Sequence, residues 1–156
     1  MTNPETTTET IDDRPVLRLT RTFQAPRESV FDAFTKPDEL AKWWGPKGMT
    51  TPVAEIDFRT GGAYRFDMAA PDGNIHRLTG VFREVRRPEK LVYTWIWEQG
   101  DMAGVESLVT IEFADRGAAT ELTLTHELLP SERACALHEQ GWTSSFECLD
   151  ESLAGA

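Results

Sequence analysis

No apolar run in this 156-residue chain approaches the eighteen residues that would mark a membrane-crossing helix. The N-terminus also lacks a charged-then-apolar signal region, and the two absences together set the expectation of a cytoplasmic protein. Cysteine is scarce, with only Cys135 and Cys148. Both fall on one expected helix, about 20 Å apart at its usual rise. That is far beyond disulfide reach, so they read as reduced thiols. Basic residues are outnumbered, 16 Lys and Arg against 26 Asp and Glu, for a net charge of −10. Short basic runs such as Arg83 with Arg86-Arg87 do not offset this, which argues against nucleic acid or an anionic membrane as partner. A Gly-x-Ser-x-Gly elbow, a phosphate loop and a dinucleotide fingerprint are all missing. The three histidines, His76, His126 and His138, do not have helical metal-ligand spacing, and the cysteines do not have zinc spacing. Neither metal nor cofactor is expected.

What the chain does have is tryptophan. The stretch Lys42-Trp43-Trp44-Gly45-Pro46-Lys47-Gly48 places two of the five side by side at the end of a short helical pattern. Neighbours on a helix point about 100° apart, so one ring is expected in the core and the other at an opening or over a loop. Trp95, Trp97 and Trp142 lie far downstream.

Residues 1–14 are rich in Thr, Glu and Asp and read as a disordered leader; 15–156 reads as one domain. Leu17, Leu19 and Phe23 share one strand parity. Val30, Ala33 and Phe34 have helical spacing after Pro26, and a second short helix spans Pro37 to Trp43. Six further strands follow, separated by turn signals such as Thr60-Gly61-Gly62, Pro71-Asp72-Gly73-Asn74 and Asp115-Arg116-Gly117. The chain closes with a helix capped by Ser131, whose stripe runs through Cys135, His138, Trp142, Phe146, Leu149 and Leu153. Gly141 sits inside it, and close packing of a neighbour is the expected reason. Short connections predict an antiparallel sheet. The expectation is an α+β fold in which a curved seven-stranded sheet wraps the long C-terminal helix, two short helices follow the first strand, and a gap remains between sheet and helix.

Several motifs now fall in order. They are Ala25-Pro26 with Val30-Phe31, Trp43-Trp44-Gly45-Pro46, Gly61-Gly62 with Tyr64-Arg65-Phe66, Gly80 to Val85 with Pro88 and Leu91 to Trp95, Leu124-Thr125-His126, and His138-Glu139 with Gly141-Trp142. Over nearly all of 16–156 the chain resembles the SRPBCC (START-like) superfamily. The branch it resembles is similar to the C-terminal domain of the activator of a heat-shock chaperone's ATPase. The resemblance implies the helix-grip fold and a deep, largely apolar cavity. It also implies a range of activities across the superfamily: lipid carriers, hormone receptors, polyketide cyclases and aromatases. Eukaryotic chaperone activators carry an additional N-terminal domain where this chain has a short leader, which argues against a chaperone as partner here.

Candidate site residues follow from parity. Tyr64, Phe66 and Met68 share one strand face, and Tyr93, Trp95 and Trp97 share another. With Trp43 or Trp44, Leu78, Phe82 and Trp142 they are expected to wall the cavity, because wide rings with polar tips orient a flat guest. His76, His126 and His138 are expected on the same side, either as satisfied interior histidines or in contact with ligand. Glu84 interrupts an apolar parity. A bulge near Arg83 would turn it outward into an ion pair with Arg65 or Arg86; otherwise it is a carboxylate at the cavity wall.

Three readings remain open. The first is binding of a small hydrophobic or aromatic molecule, in a stress-related setting. The second is a cyclase- or aromatase-like enzyme using His126, His138 or Glu84 as acid-base groups. The third is a co-chaperone-like interaction module. Oligomeric state is open, a homodimer among the options.

Overall fold

A computed structural model describes residues 5–11, 14–44, 48–100 and 102–154, with backbone alone over 5–11 and at Arg14 and Val53. Residues 1–4, 12 and 13 of the expected leader lie outside the described residues. So do the Gly45-Pro46-Lys47 break, Asp101, and 155–156.

Alternation of burial along the strands decides which face of the sheet meets the helix. Strand β2 (Arg14–Phe23) buries Leu17, Leu19 and Phe23 on one side. Helix α1 (Arg27–Thr35) stops because Lys36, which precedes Pro37, is held extended at ψ 122°. Helix α2 (Pro37–Leu40) restarts at that proline. Strands β3 (Thr50–Ile56), β4 (Ala63–Ala69), β5 (Ile75–Arg86), β6 (Lys90–Trp97), β7 (Glu106–Arg116) and β8 (Ala119–Glu127) then run as an antiparallel meander. Helix α3 (Glu132–Ala154) opens with the Ala134 N–H donating to Ser131 Oγ at 3.1 Å.

Among the described residues eight strands form one sheet, in the order β1-β2-β8-β7-β6-β5-β4-β3, where β1 spans Glu5–Ile11. Strand β1 adds an edge to the expected seven and lies within the stretch read as a leader. Glu5 pairs with Thr20 and Ile11 with Arg14, so β1 lies antiparallel along the edge of β2. The leader lacks core-forming side chains, but an edge strand needs only its backbone bonds, and β-branched threonines favour extended chain.

Register brings the future site together. Met68 pairs with His76, Leu78 with Trp97, Trp95 with Ser107, and Val109 with His126. Gly80 permits a crossing inside the sheet. A Cβ there would lie 2.1 Å from the Thr94 carbonyl and 2.6 Å from the Tyr64 ring. Without it, the Tyr64 hydroxyl reaches over β5 to donate to that carbonyl on β6. The C-terminal half of α3 is docked tightly. Phe146 and Leu149 are fully buried, and Arg21 of β2 holds Asp150 at 3.2 Å.

Candidate functional site

Under the N-terminal half of α3 the sheet and helix do not meet. A cavity of about 370 Å³ lies between them, within the range that holds small organic ligands. Trp44, Met68, Trp95, His138, Trp142 and Ser145 form its buried walls; Met49, Trp97, Met102 and Gly141 are half-buried, and His76, Gln99 and Leu137 lie exposed at the mouth. No Asp, Glu, Lys or Arg is among these described lining residues.

The helix expected to reach Trp43 ends at Leu40, and the tandem tryptophans divide in the turn beyond it. Trp43 turns into the core and donates its Nε1–H to the Ala33 carbonyl of α1 at 2.9 Å. Trp44 faces the cavity, with its ring centroid 5.6 Å from Trp142 and 5.8 Å from Trp95. Thr51 pins this segment by donating to the Trp44 carbonyl at 3.0 Å.

At the cavity, Trp–His hydrogen bonds join the sheet to α3. Trp97 of β6 donates its Nε1–H to His138 Nε2 at 3.0 Å, and His138 Nδ1–H donates to the Ala134 carbonyl at 2.7 Å. Trp142 of α3 donates to His126 Nδ1 on β8 at 3.2 Å. Ser107 donates its hydroxyl proton to the Trp95 carbonyl at 3.2 Å, so its oxygen receives His126 Nε2–H at 2.8 Å. Each imidazole therefore spends one nitrogen as donor and one as acceptor, which is the neutral form. Burial, together with the neighbouring imidazole of His138, pushes the His126 pKa well down. Burial also lowers that of His138, opposed by its bond to the Ala134 carbonyl. The two rings lie 4.9 Å apart. Neither presents a spare lone pair to a guest.

Other expected residues lie elsewhere. Tyr64, Phe66, Phe82 and Tyr93 surround a separate void of about 10 Å³, with Trp44 between the two spaces. Burial pushes both phenols up, and their protons stay on. Leu78 is fully buried and Trp43 is core, so neither lines the cavity. His76 is exposed at the mouth, because it lies near the start of β5 where α3 no longer covers the sheet. Glu84 is not at the wall. The register shifts between Phe82 and Glu84, and the carboxylate turns outward to Arg86 at 3.0 Å and Lys90 at 3.9 Å. Arg65 instead pairs with Asp67 at 2.8 Å and, more distantly, with Glu55 at 3.8 Å.

Gly141 also departs from its expected reason. A Cβ there would meet nothing within 4 Å, so the glycine widens the cavity and accommodates no packed neighbour. Met49, Gln99, Met102, Leu137 and Ser145 were not expected at the site. The methionines carry one usable signal. All three beyond the first residue, Met49, Met68 and Met102, line this one space, and flexible thioethers suit a wall that adapts to its contents. Among the described residues, no three of His, Cys, Asp and Glu come together as a metal cluster.

Comparison with known proteins places this architecture. The family described as Activator of Hsp90 ATPase homolog 1-like protein matches residues 24–154. A solved structure of a protein from Chromobacterium violaceum is 30% identical, covers 88% of this chain and 96% of its own, and has a TM-score of 0.79. The AHSA1 protein from Silicibacter pomeroyi is 31% identical, with 89% and 97% covered and a TM-score of 0.79. A protein from Rhodobacter sphaeroides, at 22% identity, 97% and 100% coverage and a TM-score of 0.81, shares the fold. Among curated proteins no relative matches.

Proposed function

We propose that this chain, which belongs to the activator of Hsp90 ATPase homolog 1-like family, binds a small hydrophobic or aromatic molecule between its sheet and the N-terminal half of α3. The observation that carries the reading is the cavity of about 370 Å³, walled by four tryptophans and three methionines with no charged side chain among the described lining residues. A plain core of this size would close over such a space, because an empty one forfeits dispersion contacts and costs stability. Here the two Trp–His hydrogen bonds hold the walls upright while Gly141 withholds a side chain.

Binding is favoured over turnover by the state of the two histidines expected as acid-base groups. His126 and His138 have their nitrogens committed within the protein, and Glu84 points away. A general base needs a free lone pair within hydrogen-bond reach of the guest. The reading includes a cytoplasmic setting, supported by Cys135 and Cys148 being thiols and not a disulfide pair.

The test is titration of the purified protein with naphthalene, followed by tryptophan fluorescence, with native mass spectrometry of fresh protein alongside. Saturable one-to-one quenching, and a small molecule retained in the gas phase, are the expected results. A linear, unsaturable response with no retained mass would defeat the reading.

A further inference from the structure

The polar groups that the cavity leaves uncommitted are unequal in kind. The acceptor nitrogens of His126 and His138 are already taken by Trp142 and Trp97. The indole N–H groups of Trp44 and Trp95 are buried with no hydrogen-bond partner, although both residues are only 5% exposed and both line the cavity. At the mouth, Gln99 uses its carbonyl oxygen to accept from the Arg77 N–H at 2.9 Å, which turns its amide donors loose. The Ser145 hydroxyl, on the wall of the same cavity, can act either way. The exposed His76 ring, also at the mouth, can act either way, so the surplus of donors is confined to the buried wall. A buried indole N–H without an acceptor is an unfavourable state that a guest's oxygen relieves.

Shape and charge narrow the guest further. Gly141 and Ser145, one turn apart on α3, put little side-chain bulk into a cavity that Trp44 and Trp95 also line. No charge lines the described wall to balance an ionised guest, and burying an unpaired charge is costly.

We propose that the cavity is built for an uncharged, flat, ring-bearing molecule whose polar atom is a hydrogen-bond acceptor, a carbonyl or ether oxygen, received by the indole N–H of Trp44 or Trp95. The proposal rests on the carrier reading and specifies its ligand class. Each ring must turn for its N–H to reach the guest, because neither indole nitrogen is itself exposed. An amine or other donor finds no free acceptor on the buried wall apart from the Ser145 oxygen and weakly accepting sulfur.

Equilibrium dialysis of the full chain against three molecules of one size tests this: fluorene, which has no polar atom; 9-fluorenone, an acceptor; and carbazole, a donor. Water retains the ketone better than the hydrocarbon, so apolar burial alone favours fluorene. The expected result is fluorenone bound tighter than fluorene by about fivefold, the worth of one hydrogen bond, and carbazole no tighter than fluorene. In a W44F/W95F double variant, which keeps rings and loses both donors, the ketone preference falls to within about twofold. Equal affinity for fluorene and fluorenone, carbazole binding tightest, or a preference that survives in the double variant would each overturn the proposal. If the double variant does not fold, the wild-type series decides alone. Absence of binding by all three would instead remove the carrier reading on which the proposal stands.

Discussion

The two ends of the concave face are both aromatic, yet one is solid and the other hollow. Under the C-terminal half of α3, phenylalanines interlock edge to face. Phe31 and Phe113 lie 5.2 Å apart, Phe34 and Phe113 5.6 Å, and Phe23 and Phe146 5.7 Å. Under the N-terminal half, tryptophans and histidines enclose about 370 Å³. A phenyl ring carries no polar atom, so it settles wherever its neighbours leave room. An indole or imidazole whose nitrogens are hydrogen-bonded has its orientation fixed as well. Trp97 is tied to His138 and Trp142 to His126, each bond running between sheet and helix. The bonds act as struts. The hollow end stays open because Trp97, Trp142 and the two histidines are held, and the solid end closes because its rings are free to pack.

Removing bulk should separate the ends most sharply. Phe146→Ala takes a fully buried ring from the solid end, and a loss of about 3–5 kcal/mol in urea unfolding is expected. A loss under about 1 kcal/mol would mean that this end also yields to truncation. Acid should attack the hollow end. A protonated imidazole carries N–H on both nitrogens, so His126 would confront the Trp142 N–H and His138 the Trp97 N–H. Both pKa values are depressed in the folded state, so the unfolded chain binds protons first. Stability is complete above about pH 6.5 and falls as pH drops below it, by up to about 1.4 kcal/mol per pH unit for each histidine. Urea midpoints measured from pH 7.5 to 5.5 check this, and His138→Leu should reduce the slope by about half. A flat profile would mean that the struts do not carry the wall.

A gain is expected from Gly141→Ala. The added methyl meets open space, and helix propensity favours alanine by about 1 kcal/mol. The same change should weaken naphthalene binding, a stability gain with a functional loss. At the rim the effect should be least. Leu137 is 54% exposed, and Leu137→Ser should shift stability by no more than about 0.5 kcal/mol.

The order of elements could be read from the chain because strand parity and helical spacing are local signals. Leu17, Leu19 and Phe23 declared one strand, and the stripe from Cys135 to Phe146 declared the helix. The split between Trp43 and Trp44 could be read although both lie beyond α2, because the Trp44 N–H still bonds the Leu40 carbonyl at 3.0 Å and keeps a helix-like turn there. The solid-hollow boundary could not. Tyr64 and Phe66 share parity with Met68, yet only Met68 reaches the cavity, because where α3 lifts from the sheet depends on cross-sheet hydrogen bonds that no single strand encodes. Gly141 was visible as an oddity, but its cause was inverted: sequence shows the missing side chain without showing whether the vacated space is filled. Met49, Gln99 and Met102 come from connecting segments, where no periodicity announces direction.

The central claim is that a guest occupies the hollow between Gly141 and the tryptophan wall. Its most direct test compares naphthalene binding by the wild-type chain and by Gly141→Leu, which plugs that space while leaving the solid end untouched. The account predicts saturable binding in the first, loss by at least about tenfold in the second, and an unfolding midpoint in the second no lower than in the first. Equal binding by both would place the guest elsewhere and contradict the account.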